Sequence, residues 1–179
     1  MKRFLVACLA FVALSGTAFA ADPDNTVYLE LKSGRVAIEL RPDLAPKHVE
    51  RFKQLVKEDF YDGLTFHRVI TGFMAQTGDP LGDGTGGSTY PDLPAEFTNA
   101  ESFGRGTLGM ARSAAPNSAN SQFFIMFEAA PHLDGQYTIF GKVVEGMELV
   151  DQIKKGDGAN GEVSNPDTIV KMELASEAG

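Results

Sequence analysis

Apolar and polar residues alternate along two stretches near the start of the chain. Residues 27–31 and residues 36–40 each carry an apolar side chain at every second position. A short polar segment that contains Gly34 separates them. Alternation with a period of two is typical of strands that bury one face. The pattern predicts a β-hairpin, and Pro42 ends its second strand.

The spacing of apolar residues then changes from two to three or four. Pro46 suits the first turn of a helix, where its missing N–H costs nothing. One apolar stripe follows, made of Ala45, Val49, Phe52 and Val56. This spacing predicts an amphipathic helix over residues 46–58. A second, shorter helix is predicted over residues 145–153.

Short strands are predicted along the rest of the chain, separated by polar or glycine-rich loops. The predicted strands are residues 65–70, 73–77, 107–111, 122–127, 138–144 and 169–174. Residues 78–94 are rich in Gly, Pro and Asp and predict a long loop, and residues 156–166 predict a polar loop. Eight strands with two helices far apart in sequence exclude a regular βαβ alternation. We therefore expect a mainly β fold, a closed eight-stranded antiparallel barrel capped by two α-helices.

The first twenty residues have the pattern of an export signal. Residues 2–3 are basic, residues 4–14 are apolar, and Ala18 and Ala20 are small residues where a signal peptidase reads the chain. The apolar run is too short to span a membrane. We expect cleavage near Ala20 and a periplasmic or secreted protein. Processing and lipidation at Cys8 is the alternative, but it would leave an apolar core of only about four residues, against the roughly 7–15 that export needs.

The remaining residues, 21–179, are predicted to form one domain. They contain no cysteine, so they cannot form a disulfide. Without Lys2 and Arg3, 14 basic residues stand against 24 acidic ones, a net charge of −10. The segment has no basic stripe for nucleic acid and no second apolar run for a membrane span. We expect an acidic, soluble monomer.

Three kinds of site are weakly supported by the sequence. Residues 82–89 resemble a phosphate-binding loop but have Ser88 where lysine is required. The three histidines lack partners at metal-ligand spacing, and residues 157–161 lack the acidic ligands of a calcium loop. Ser121 has no nucleophile elbow around it, although a serine hydrolase that pairs it with His67 in space stays open.

Residues 65–79, TFHRVITGFMAQTGD, hold His67, Arg68 and Gln76 beside the apolar Phe73 and Met74. The stretch has no serine or cysteine, and its only carboxylate is at its far end. A guanidinium next to an apolar pocket donates hydrogen bonds without acting as an acid or a base. These residues suit a reaction in which no proton has to move.

Six segments in order resemble one family, with spacing similar to that family's. They are FHRVITGFMAQTGD, GTGG, LGMAR, NSQFFI, LDG and FGKV. The chain resembles the cyclophilins, the peptidyl-prolyl cis/trans isomerases, over residues 27–174, and with its leader it looks like a bacterial periplasmic member. The resemblance implies an eight-stranded barrel with two helices, no cofactor and no metal. It also implies proline-containing peptides and unfolded exported proteins as partners.

The resemblance also implies roles for individual residues. Arg68 would be catalytic, and Gln76 would orient it and contact the substrate. The residues matched to substrate binding are His67, Phe73, Met74, Ala111, Arg112, Gln122, Phe124, His132, Leu133 and Tyr137. The matched loop beside a secondary pocket consists of Gly84, Thr85, Gly86 and Gly87. A non-catalytic proline-peptide-binding chaperone module with the same pocket is the alternative function.

Three positions depart from the best-known eukaryotic pattern of the family. Arg112 stands where that pattern has asparagine, and Tyr137 stands where it has histidine. His132 stands where it has tryptophan, which donates a hydrogen bond to cyclosporin. We therefore expect weak cyclosporin binding. Residues 113–116 also form a segment that looks one residue longer than in that pattern.

Overall fold

The computed structural model describes residues 22–178, so the predicted signal peptide and its cleavage site lie outside the described residues. Eight strands form one sheet: β1 (Thr26–Leu31), β2 (Gly34–Leu40), β3 (Arg68–Ile70), β4 (Met74–Thr77), β5 (Thr107–Met110), β6 (Phe123–Met126), β7 (Ile139–Glu145) and β8 (Ile169–Leu174). They are paired antiparallel in the order β3-β4-β6-β5-β7-β2-β1-β8. The prediction of eight antiparallel strands is confirmed.

The hairpin of β1 and β2 is confirmed, with Val27 opposite Ile38 and Leu29 opposite Val36. These four side chains are fully buried. Gly34 follows the tight turn with φ of 137°, a backbone conformation that glycine adopts more easily than other residues. Alternation in the sequence therefore translates directly into one buried face.

Two helices pack against the sheet. Helix α1 (Pro46–Lys57) begins at its proline, as predicted, and buries Val49, Phe52 and Leu55 against the side of the sheet near β7 and β8. Helix α2 (Met147–Val150) is only one turn long, shorter than predicted. Glu145 is still paired in β7 and Gly146 is left-handed at φ 81°, so the helix begins only after them.

The sheet curls into a half-barrel of 222°, and the predicted closed barrel is not shown. Its edge strands, β3 and β8, do not pair along their length. Instead, a single bridge joins Thr65 to Thr168, and the Phe66 N–H donates to the Asp167 carbonyl at 2.9 Å. These irregular contacts use Thr65 and Phe66, and the His67 carbonyl accepts from the Val163 N–H at 3.1 Å. Strand β3 therefore contains only the last three residues of the predicted strand.

Two apolar clusters form because successive side chains of a strand point to opposite faces. Phe123 and Ile125 of β6 belong to the larger cluster, beneath α1, which we call the main core. Phe124 and Met126 belong to a smaller cluster on the other face, which we call the pocket cluster. Its buried members are Met74, Phe103, Phe124, Met126, Ala130, Leu133 and Ile139.

Candidate active site

A cavity of about 580 Å³ lies over the pocket cluster. Strands β3, β4 and β6, the residues after β5 and the segment around the short 3-10 helix Pro131–Leu133 form its walls. Of the residues predicted for the site, it is lined by His67, Arg68, Phe73, Met74, Gln76, Gly84, Ala111, Arg112, Phe124, Leu133 and Tyr137. The structure thus brings together most of a set that spans some seventy positions of sequence.

Strand register places the central residues in one row. Arg68 pairs with Gln76 across β3 and β4, and Gln76 pairs with Phe124 across β4 and β6. Phe124 in turn pairs with Gly109 of β5. A Cβ at Gly109 would lie 2.4 Å from the Phe124 ring and 2.6 Å from Phe103. The missing side chain therefore leaves room for the aromatic floor of the cavity.

Hydrogen bonds hold the polar end of this row. Arg68 Nη1 donates to Gln76 Oε1 at 3.1 Å, and Arg68 Nε donates to the Asn160 carbonyl at 3.0 Å. Gln76 Nε2 donates to Gln122 Oε1 at 2.9 Å. Gln122 Nε2 donates to the carbonyls of Gly84 and Gly86 at 3.1 and 2.8 Å. The guanidinium is thus held in place while remaining partly exposed.

The apolar end is made of aromatic rings. Phe124 stacks on Phe103 with centroids 5.7 Å apart and meets the Tyr137 ring edge to face at 5.8 Å. Such pairs add stability beyond the area they bury. His132 does not line the cavity; its ring stacks on Phe73 at 5.9 Å. It supports one wall of the pocket.

Arg112 is occupied by contacts within the chain. Its Nε and Nη2 donate to the Gln136 carbonyl at 3.1 and 2.8 Å, and Nη1 donates to the Ser113 carbonyl at 2.9 Å. The guanidinium carbon lies 4.5 Å from the centroid of the Tyr137 ring, a favourable cation–π distance. Arg112 thereby ties the segment 113–116 to the wall that carries Tyr137.

A second cavity of about 430 Å³ adjoins the first. It is lined by Gln122 and by the predicted loop residues Gly84, Thr85, Gly86 and Gly87. The buried Asp79 carboxylate shapes this loop, because it accepts the N–H groups of Leu81, Asp83 and Gly84 at 2.8, 3.2 and 2.5 Å. The loop that Asp79 holds therefore forms part of the wall of the second cavity.

His67 and Ser121 do not form a hydrolytic pair. Ser121 is fully buried and its hydroxyl donates to the Gly78 carbonyl at 2.8 Å. Neither ring nitrogen of His67 has a hydrogen-bond partner among residues 22–178. Burial lowers the pKa of His67, and the nearby Asp79 opposes this only in part. The ring is a neutral part of the pocket wall, so the serine hydrolase alternative is wrong.

Within residues 22–178, no three His, Cys, Asp or Glu side chains come close enough to hold a metal ion. None of the helices described here is both long and apolar enough to cross a membrane.

Several cavity residues were not predicted from the sequence: Gly82, Asp83, Asn160 and Glu162. Asn160 and Glu162 belong to the segment 157–162, whose only sequence signal was a false resemblance to a calcium loop. An antiparallel bridge joins Glu162 to Arg68. This segment lies beside β3 and forms one wall of the cavity, a placement that a polar composition does not reveal.

Comparison with known proteins agrees with this geometry. Residues 26–174 match the family model described as cyclophilin type peptidyl-prolyl cis-trans isomerase/CLD. The chain belongs to this family and is a cyclophilin-type peptidyl-prolyl cis-trans isomerase.

Named relatives and solved structures are similar over most of the chain. A probable peptidyl-prolyl cis-trans isomerase of Brucella suis is 61% identical over 98% of this chain and 97% of its own. Peptidyl-prolyl cis-trans isomerase B of Bacillus subtilis is 45% identical over 74% of this chain and 93% of its own. The crystal structure of cyclophilin AquaCyp293 from Hirschia baltica matches with a TM-score of 0.79 at 28% identity, covering 89% of this chain and 77% of that chain.

A second solved structure comes from Cryptosporidium parvum, a cyclophilin type isomerase determined in the presence of the dipeptide Ala-Pro. It matches with a TM-score of 0.76 at 30% identity, over 83% of this chain and 98% of that chain.

Proposed function

We propose that this enzyme accelerates rotation about X–Pro bonds without a covalent step, with Arg68 stabilising the twisted amide. One observation supports this most strongly: two carbonyl oxygens, of Gln76 and Asn160, hold the guanidinium in a cavity whose floor is the apolar pocket cluster. A guanidinium has five N–H donors, so three remain to reach a substrate.

Acceleration of rotation about an X–Pro bond needs only a well-placed hydrogen-bond donor. Resonance in the amide creates a barrier of roughly 18–20 kcal/mol, and a barrier near 20 kcal/mol allows about one crossing per minute. At mid-rotation the resonance is lost and the proline nitrogen carries a localised lone pair. A hydrogen bond to that nitrogen favours the twisted state over the planar one. The surrounding apolar side chains strengthen the bond by excluding water.

The pocket cluster supplies a surface for the proline ring. Phe73, Met74, Phe124 and Leu133 would hold the ring, and the backbone at Ala111 and Arg112 would bind the residue before proline. Residues further from the proline would lie in the second cavity, beside Gln122 and the loop 84–87. The Ala-Pro dipeptide of the Cryptosporidium parvum structure supports proline-containing peptides as the substrate class.

Substitution of Arg68 tests this mechanism. We expect Arg68→Ala to lower kcat for a proline tetrapeptide by roughly 10²–10³, the usual cost of losing one transition-state donor, with a smaller change in KM. Arg68→Lys keeps the charge but loses the planar fork, so it should recover only part of the rate. An Arg68→Ala variant with more than half of wild-type kcat would contradict the mechanism.

We further propose that the substrates are unfolded exported proteins, that the enzyme is periplasmic or secreted, and that it acts as a monomer. The leader pattern of residues 1–20 and the absence of cysteine from residues 21–179 support export. A mature protein whose N-terminus is not near Ala21, or that stays in the cytoplasmic fraction, would contradict this. Weak cyclosporin binding also follows from His132, and nanomolar inhibition would contradict it.

A further inference from the structure

Glu162 extends the row of active-site residues by one position. Its backbone bridges to Arg68, which pairs with Gln76 and through it with Phe124. Side chains in directly opposed positions lie on the same face of a sheet. Glu162 accordingly lines the main cavity while its side chain stays exposed.

Four charged side chains line this cavity: Arg68, Arg112, Asp83 and Glu162. Carbonyl oxygens accept hydrogen bonds from both arginines. Asp83 accepts from the N–H and hydroxyl of Thr85 at 2.9 and 2.6 Å. Glu162, in contrast, has no hydrogen-bond or ion-pair partner for its carboxylate among residues 22–178. It is the charged group most available to a substrate.

The peptide direction proposed above would place Glu162 after the proline. The two cavities share Gln76, Gly84, Ala111 and Arg112. In the proposed binding mode, the chain before the proline passes over these residues into the second cavity. Asn160 and Glu162 line only the first cavity. In the proposed binding mode, the chain that follows the proline would leave the site on the side of Glu162.

We propose that Glu162 is a specificity-determining residue that favours peptides with lysine or arginine directly after the proline and disfavours an acidic residue there. The inference rests on the proposed function, because the peptide direction comes from it. The attraction acts near the surface, where single charge pairs are weak and screened by salt. We therefore expect a modest preference that does not alter the chemical step.

Three peptides test the proposal: Ala-Ala-Pro-Lys, Ala-Ala-Pro-Gln and Ala-Ala-Pro-Glu, with blocked ends, assayed by NMR exchange spectroscopy at low salt. We expect wild-type kcat/KM for the Lys peptide to exceed that for the Glu peptide by about threefold to tenfold. Glu162→Gln should bring this ratio close to one. Glu162→Lys should reverse the order.

Glu50→Gln is the matched control, since it removes the same charge from helix α1, outside both cavities. It should keep the wild-type ratio; if it abolishes the ratio, the preference comes from overall charge and the proposal is wrong. Equal wild-type rates for the three peptides, or an equal loss for all three in Glu162→Gln, would also overturn it. A wild type that accelerates none of them would instead contradict the proposed function.

Discussion

The main core and the pocket cluster are built on the same strands yet differ in how they are enclosed. In the main core, Phe52 of α1 lies 5.0–5.2 Å from the rings of Tyr61, Phe123 and Phe140, and all four are fully buried. No α-helix packs over the pocket cluster among residues 22–178, and its Phe73 and Tyr137 are partly exposed. One face of the sheet is covered by the fold, and the other is the face on which we propose that a substrate binds.

The largest expected effect compares one phenylalanine from each side. Phe52→Ala should cost about 3–5 kcal/mol in the free energy of unfolding, because it opens a cavity among packed rings. Phe73→Ala should cost about 1 kcal/mol, since the ring is only partly buried, yet it should lower kcat/KM strongly. For both variants, urea unfolding measures the free energy of unfolding and the isomerase assay measures kcat/KM. Equal losses of stability would show that the two clusters do not differ as described.

An intermediate effect is expected at the floor of the pocket. Gly109→Ala places a methyl group 2.4 Å from the Phe124 ring, so the ring has to move toward the cavity. Overpacking of this kind costs about 1–3 kcal/mol, and we expect kcat/KM to fall about tenfold because misplaced contacts of about 1 Å are costly. Gly104→Ala, with nothing within 4 Å of the new atom, is the control and should change neither quantity.

The smallest expected effect concerns one histidine from each side. Burial lowers the pKa of His48, a buried residue of α1, where Glu96 opposes it, and burial also lowers the pKa of His67 in the pocket. The unfolded chain then binds more protons than the folded chain as pH falls below about 6.5. Stability should therefore be full above that pH and decline in acid.

His67→Gln should reduce this acid loss, and His48→Gln should reduce it too. Urea titrations at pH 7.5 and 5.5 measure the difference. His132→Gln, which changes an exposed histidine, is titrated in the same way as the control. A wild type that is more stable at the lower pH would contradict the lowered pKa values of the two buried histidines.

Sequence patterns predicted the parts of the molecule that follow a local period. In the hairpin, α1 and most strands, apolar residues recur every second position or every third to fourth position. This local spacing was enough to predict these elements. Arg68, Gln76 and Phe124 were predicted as site residues because they occur in segments that resemble the family. Their alignment across three strands, however, is set by register and could only be seen in the structure.

Other features depend on contacts between distant segments. The sheet is curled but does not close into a barrel by regular strand pairing. Its two edges meet only through irregular bonds between residues 63–66 and 167–169, which apolar alternation cannot predict. Glu162 was missed because its segment is polar and has no periodicity. Asp79 likewise looks like an ordinary loop residue, although its carboxylate organises the loop beside the second cavity.

The bond from Arg68 to the Asn160 carbonyl spans 92 positions of sequence. A chain made on the ribosome emerges from its N-terminus, so Arg68 appears long before the segment that holds it. Until residues near 160 have been added, β3 has no neighbour on that side and the guanidinium lacks one of its two anchors. We expect a nascent chain to gain its full activity only when nearly all of it has been synthesised.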